Sequence, residues 1–109
     1  MKLPNSGSAI VEIEKLRGYC LNPHPPRGRH KDRVFAAVGF QEKDAAELRA
    51  ALLAAARTTD VQLGETSPYG TRYILDFDLM RLGRIVRIRN LWIVESGNGL
   101  PRLTTCYVP

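Results

Sequence analysis

Thr71-Arg-Tyr-Ile-Leu-Asp-Phe-Asp-Leu79, the turn Arg81-Leu-Gly83, and Ile85-Val-Arg-Ile-Arg-Asn-Leu-Trp-Ile-Val94 together decide the fold class of this chain. Side chains alternate between the faces of an extended strand, so the first run places Tyr73, Leu75, Phe77 and Leu79 on one side and Asp76 and Asp78 on the other. The second run places Val86, Ile88, Trp92 and Val94 on one side, with Arg87 and Arg89 opposite. Two strands of this kind, joined by a short turn, form an antiparallel pair with one apolar face. Arg87 and Arg89 give the other face a basic character, and Asp76-x-Asp78 reads as a solvated carboxylate pair.

Turn residues bound the flanking segments. Val61 to Leu63 is expected as a brief edge strand before Ser67-Pro-Tyr-Gly70. Beyond the loop Ser96-Gly-Asn-Gly-Leu-Pro101, Arg102-Leu-Thr-Thr-Cys-Tyr-Val108 closes the sheet. Before Asp60 the periodicity is helical. Ile13, Leu16 and Cys20 recur at helical spacing until Asn22-Pro23 stops the helix. A second helix is predicted over Lys31 to Val38, closed by Gly39 and Phe40. A third opens at Asp44, with Glu47 three residues on as a capping box, and runs through Leu48, Leu52 and Leu53 to about Arg57. The expected fold is α+β, with N-terminal helices packed on a C-terminal antiparallel sheet of three to four strands. At 109 residues and 44% hydrophobic content the chain suits one domain, residues 1–109.

No apolar run approaches the roughly 20 residues of a membrane span, and the first eight residues lack the apolar stretch of a secretory signal. A cytoplasmic protein is therefore expected. Cys20 and Cys106 have no second cysteine at zinc-ligand spacing, and buried thiols are favoured over a disulfide. His-Glu-x-x-His, Gly-x-Ser-x-Gly and the Walker-type glycine loop are all missing from the sequence.

The formal net charge is +5 and the isoelectric point is near 9.6, and this charge is clustered. Arg27, Arg29, Lys31 and Arg33 face only Asp32 in residues 24 to 33, while Arg81, Arg84, Arg87, Arg89 and Arg102 face only Glu95 in residues 81 to 109. Such clustering is a nucleic-acid footprint, though acidic protein partners and solubility use arginine too. Lys31 falls near the middle of the apolar face made by Val34, Phe35 and Val38. Either it snorkels to water, or it meets an anion held at the helix N-terminus, where unpaired N–H groups concentrate positive charge. Both histidines, His24 and His30, lie in the same segment. Histidine, lysine, arginine and hydroxyl groups without a metal or other cofactor are the inventory of RNA cleavage by 2′-hydroxyl attack. That reaction needs one group to accept a proton, one to donate a proton, and cations to stabilise the phosphorane. His30 is the first candidate for acid–base work and His24 the second.

Leu3-Pro-Asn5, Lys15-Leu-Arg-x-Tyr19, Arg27-Gly-x-x-Lys31-x-x-x-Phe35, Gly39-Phe40, Tyr69-Gly-Thr-Arg-Tyr73, Trp92 and Arg102-Leu-Thr-Thr-Cys-Tyr-Val-Pro109 together resemble a bacterial domain family of unknown function. Its members look like stand-alone small proteins or C-terminal modules of toxin-like polypeptides, encoded beside a small immunity protein or antitoxin. The element order and the terminal Leu103-Thr-Thr-Cys-Tyr107 also resemble the barnase, EndoU, colicin and RelE type of ribonuclease fold. The resemblance implies Lys31 as the phosphate-stabilising cation and Thr105 with Tyr107 as hydroxyl donors. It also implies a cognate immunity protein or antitoxin as partner and RNA as substrate. Thr105 and Tyr107 share a strand face by alternation, as ordinary cross-strand contacts also do. Arg27, Arg29, Arg72, Arg87, Arg89 and Arg102 are assigned to RNA phosphates. Trp92 is read as core in preference to a base-stacking platform. The expectation is a metal-independent endoribonuclease. The alternative is a non-catalytic basic module that binds nucleic acid or an acidic protein partner.

Overall fold

The computed structural model describes residues 1–16, 40–97, 99–107 and 109. Its centre is a four-stranded antiparallel meander in the order β1-β2-β3-β4, with β1 at Gln62–Ser67, β2 at Gly70–Arg81, β3 at Arg84–Glu95 and β4 at Pro101–Tyr107. The two long strands span the alternating runs. β1 extends to Ser67, beyond the expected Leu63, because its backbone pairs with β2 from Gln62↔Ile74 to Ser67↔Gly70, although Gly64-Glu-Thr has no apolar alternation of its own.

Leu82 and Gly83 form the β2–β3 turn with φ of 54° and 73°. Both values are positive, as in a type I′ turn, and this turn locks the register Arg81↔Arg84. At the opposite end of β2, Gly70 approaches β3 so closely that a Cβ there would sit 2.4 Å from the Val94 carbonyl oxygen.

Two α-helices are described, α1 at Ile13–Lys15, a single turn, and α2 at Ala45–Thr58, with short 3-10 helices at Ser6–Ser8 and Glu42–Asp44. The fold is α+β, a four-stranded antiparallel sheet with one long helix before it. The rest of the first expected helix and the whole of the second, Lys31 to Val38, lie outside the described residues. α2 turns Leu48, Leu52, Ala55 and Ala56 inward against Leu75, Ile88, Trp92 and Leu103 of the sheet, in one core that also takes in Leu3, Val11, Leu16 and Phe40. Trp92 is fully buried in that core, so it is not a base-stacking platform.

The capping box does not form. Asp44 makes no side-chain bond to the first turn of α2; its Oδ2 accepts the Gln41 N–H at 3.0 Å. Glu47 instead accepts from Arg81, whose guanidinium also lies 3.6 Å from Asp44 and 4.2 Å from the Phe40 ring centre. A partner 34 residues away thus outcompetes the local cap and ties the end of β2 to the start of α2.

The outer edge of β4 is covered. Ile10 bridges Arg102, donating to the Pro101 carbonyl and accepting from the Leu103 N–H, and Lys15 donates to the Leu103 carbonyl at 3.2 Å. Among the described residues no helix is long and apolar enough to cross a membrane.

Candidate functional site

The outer face of the sheet collects the described candidates in ordered rows. Register places Arg72, Ile93 and Arg102 in one row, then Ile74, Leu91 and Thr105, then Asp76, Arg89 and Tyr107, and finally Asp78 with Arg87. A bulge decides the membership of β4. Leu91 pairs with Thr105 but Trp92 with Leu103, which leaves Thr104 as the extra residue, its hydroxyl donating to the Leu91 carbonyl at 3.0 Å. Strict alternation would put Arg102 opposite Thr105 and Tyr107. The bulge brings all three to one face while Leu103 and Cys106 both remain buried.

Each of these arginines except Arg72 meets a carboxylate. Arg89 forks onto Asp76, Nε to Oδ1 at 2.9 Å and Nη2 to Oδ2 at 3.0 Å. The bond from Arg89 holds the Asp76 carboxyl below its ordinary pKa against a partial desolvation. Arg89 is pushed further into its charged range, chiefly by its bond and charge contact with Asp76, with the Tyr107 hydroxyl as a further hydrogen-bond partner. Arg87 donates to Asp78 at 3.2 Å, and Arg102 pairs with Glu12 and lies 3.5 Å from Glu95. Arg72 is exposed and makes no ion pair with a described residue.

The expected basic sheet face is thus a charge-compensated one, because the register sets the two aspartates of β2 opposite the two arginines of β3. Asp76 and Asp78 are more than a solvated pair: they orient the guanidinium groups. The signal lay in the two-residue turn, since Arg81↔Arg84 dictates Asp78↔Arg87 and Asp76↔Arg89 by counting back along both strands.

His24, Arg27, Arg29, His30 and Lys31 lie outside the described residues. Their segment nonetheless dominates the charge. Residues 17 to 39 hold five of the 16 basic residues and one of the 11 acids, hence four of the five net positive charges. The remaining chain is nearly neutral.

Among the described residues, the inner face buries one amide side chain. Asn90 is fully buried, its Oδ1 accepts the Trp92 indole N–H at 2.6 Å, and its Nδ2 has no partner among the described residues. Cys106, opposite Asn90 in register, is a buried thiol. Among the described residues no three His, Cys, Asp or Glu side chains gather as a metal-binding set.

Chemically, the outer face offers an oriented guanidinium beside two hydroxyl groups, Thr105 and Tyr107, which suits hydrogen bonding to an anion. Its carboxylates are committed to arginines, so a proton acceptor for catalysis has to come from another part of the chain.

The fold and this face define a small α+β domain with a polar, ion-paired sheet surface. Residues 2–109 match the family described as a domain of unknown function, DUF6883, and the chain belongs to that family. Comparison with curated proteins and with solved structures gave no match.

Proposed function

We propose that the protein is a metal-independent endoribonuclease of the bacterial toxin type, cleaving RNA by 2′-hydroxyl attack and controlled by a cognate immunity protein or antitoxin. The observation that carries this reading is the convergence of Thr105, Tyr107 and the Asp76-oriented Arg89 on the outer sheet face. Arg102 is added to the same face by the β4 bulge. These groups would hold a scissile phosphate and stabilise its developing charge, with Lys31 as the further cation. His30, with His24 as the second candidate, would take the 2′-hydroxyl proton and return one to the departing 5′-oxygen, leaving a 2′,3′-cyclic phosphate. The concentration of net charge in residues 17 to 39 suits a segment that meets an RNA backbone.

Total RNA incubated with the purified chain in excess EDTA tests this. Discrete fragments ending in cyclic phosphate are expected from the wild type and not from Lys31→Ala or Thr105→Ala proteins of matched fold. Intact RNA in every lane would overturn the catalytic reading. A second reading, a non-catalytic basic module, is favoured by one observation: the pairing of Arg87, Arg89 and Arg102 with carboxylates on a face that carries no uncommitted base among its described residues. Salt-sensitive RNA binding without cleavage would select it.

A further inference from the structure

The two edges of the sheet are treated differently. β4 is covered by Ile10 and Lys15, but β1 stops pairing with β2 at Gln62↔Ile74. The chain leaves that line at Val61, whose N–H goes to the Met1 carbonyl at 2.7 Å. From Leu75 to Met80, β2 therefore has a strand on its β3 side only, among the described residues.

The open hydrogen-bonding groups follow from the register. Arg81 and Arg84 close a two-residue hairpin and form a mutually hydrogen-bonded pair, and such pairs alternate along an antiparallel ladder. Leu79, Phe77 and Leu75 thus bond to β3. The backbone N–H and C=O groups of Asp76, Asp78 and Met80 point the other way, to the side where no described strand lies. Beside them runs a groove of about 450 Å³ along the open edge of β2, lined by Ala51, Ala54 and Thr58 on α2, by Asp76, Phe77 and Asp78 on β2, and by Arg87 of β3. That volume lies within the range of about 300–1,000 Å³ typical of ligand clefts. The alanines keep the helix wall low, so a backbone has room next to the strand.

We infer that this groove is a docking site for an extended peptide segment of a partner chain, which adds as a fifth strand along Asp76, Asp78 and Met80. Only an extended backbone satisfies three residues of outward-pointing N–H and C=O in one line. Alternation sets the side-chain pattern of the incoming strand. Positions level with Phe77 and Leu79 face α2 and take small apolar residues against Ala51 and Ala54. Positions level with Asp76 and Asp78 lie on the outer face; Asp76 is filled by both bonds from Arg89, but Asp78 holds Arg87 through Oδ1 alone and is half exposed, so the position beside it takes a basic residue. A second copy of this chain fits less well, because it would bring a second half-exposed Asp78 beside the first instead of a basic residue. The site is on the sheet edge opposite β4; its outer-face positions adjoin the Asp76–Arg89 pair, but it is argued from the open backbone of β2 and does not depend on the RNA-cleavage reading.

A phage-displayed library of linear heptapeptides, panned on the full chain, tests the inference. The Ala54→Arg protein is the control; position 54 is exposed, so the substitution fills the groove without touching the core. Enriched peptides with small apolar residues at alternate positions and a basic residue between them are expected. Their synthetic forms should shift the amide resonances of Asp76, Asp78 and Met80 and bind Ala54→Arg about tenfold more weakly or worse. N-methylation of the peptide amides that pair with β2 should abolish binding. Equal enrichment on Ala54→Arg, or shifts confined to other amides, would overturn the site. Concentration-dependent self-association that moves the same three amides without peptide would assign the edge to a second copy and overturn the partner.

Discussion

The two faces of the same sheet do different work. On the inner face Leu75, Ile88, Trp92, Leu103 and Cys106 are buried to about 1% exposure or less. On the outer face Arg72, Asp78 and Arg87 stay in water, and Asp76, Arg89, Thr105 and Tyr107 are half-buried among one another. Burial of apolar area holds the fold, while exposed ion pairs add little. The outer face is therefore free to carry chemistry without jeopardising the scaffold. The largest effect expected from this contrast is in Trp92→Ala, which should lose about 3–5 kcal/mol in urea unfolding or fail to fold. Thr105→Ala should lose no more than about 1 kcal/mol. Equal losses in the two proteins would break the division between the faces.

The inner face has one weak point, and a pair of substitutions sharpens what it means. Trp92→Phe keeps most of the ring but strands the Asn90 carbonyl oxygen beside an amide nitrogen that already has no partner among the described residues. A loss of about 1–3 kcal/mol is expected from that unpaired group. Adding Asn90→Leu removes both polar atoms and should recover most of the loss, because replacing both partners by apolar groups is close to neutral. Recovery would show that the Asn90–Trp92 bond is kept for reasons other than stability, such as fixing the β3–β4 register at the bulge. Without recovery, the shape of the tryptophan itself is what the core requires.

The sheet was legible in the chain because Tyr73, Leu75, Phe77, Leu79 and Val86, Ile88, Trp92, Val94 alternate so strictly, and the core role of Trp92 followed from its neighbours. α2 was legible from Leu48, Leu52 and the alanines. What failed were three inferences about polar partners and register. Glu47 looked like half of a capping box because Arg81 is invisible at that range. Arg87 and Arg89 looked like a basic surface because Asp78 and Asp76 were counted on their own strand and not across the turn. The bulge at Thr104, which gathers Arg102 with Thr105 and Tyr107, has no local composition signal; neither Gly nor Pro marks it. The candidate site was thus half legible: its hydroxyls came from the family resemblance and their shared face from alternation, while its carboxylates follow only from register.

The smallest expected effect separates the roles of the two faces most finely. Asp76→Asn removes the charge that holds Arg89 but leaves a residue of the same shape. An ion pair still about a quarter to a third exposed at each side chain contributes no more than about 1 kcal/mol. The pH dependence has a definite sign. The Asp76 pKa is depressed in the folded state, chiefly by the hydrogen bond from Arg89. Its contribution is therefore complete above the unfolded value of about 3.9 and is lost as the pH falls through the lower folded value. Urea unfolding of wild type and Asp76→Asn should differ at pH 6 and converge as the pH falls below the depressed folded value. The same substitution releases the Arg89 guanidinium, so affinity for a nucleic-acid backbone should rise even as stability falls, with a steeper dependence on salt. If stability and binding fall together, Asp76 positions Arg89 for its ligand; opposite movements mean that Asp76 competes with the ligand for the same guanidinium.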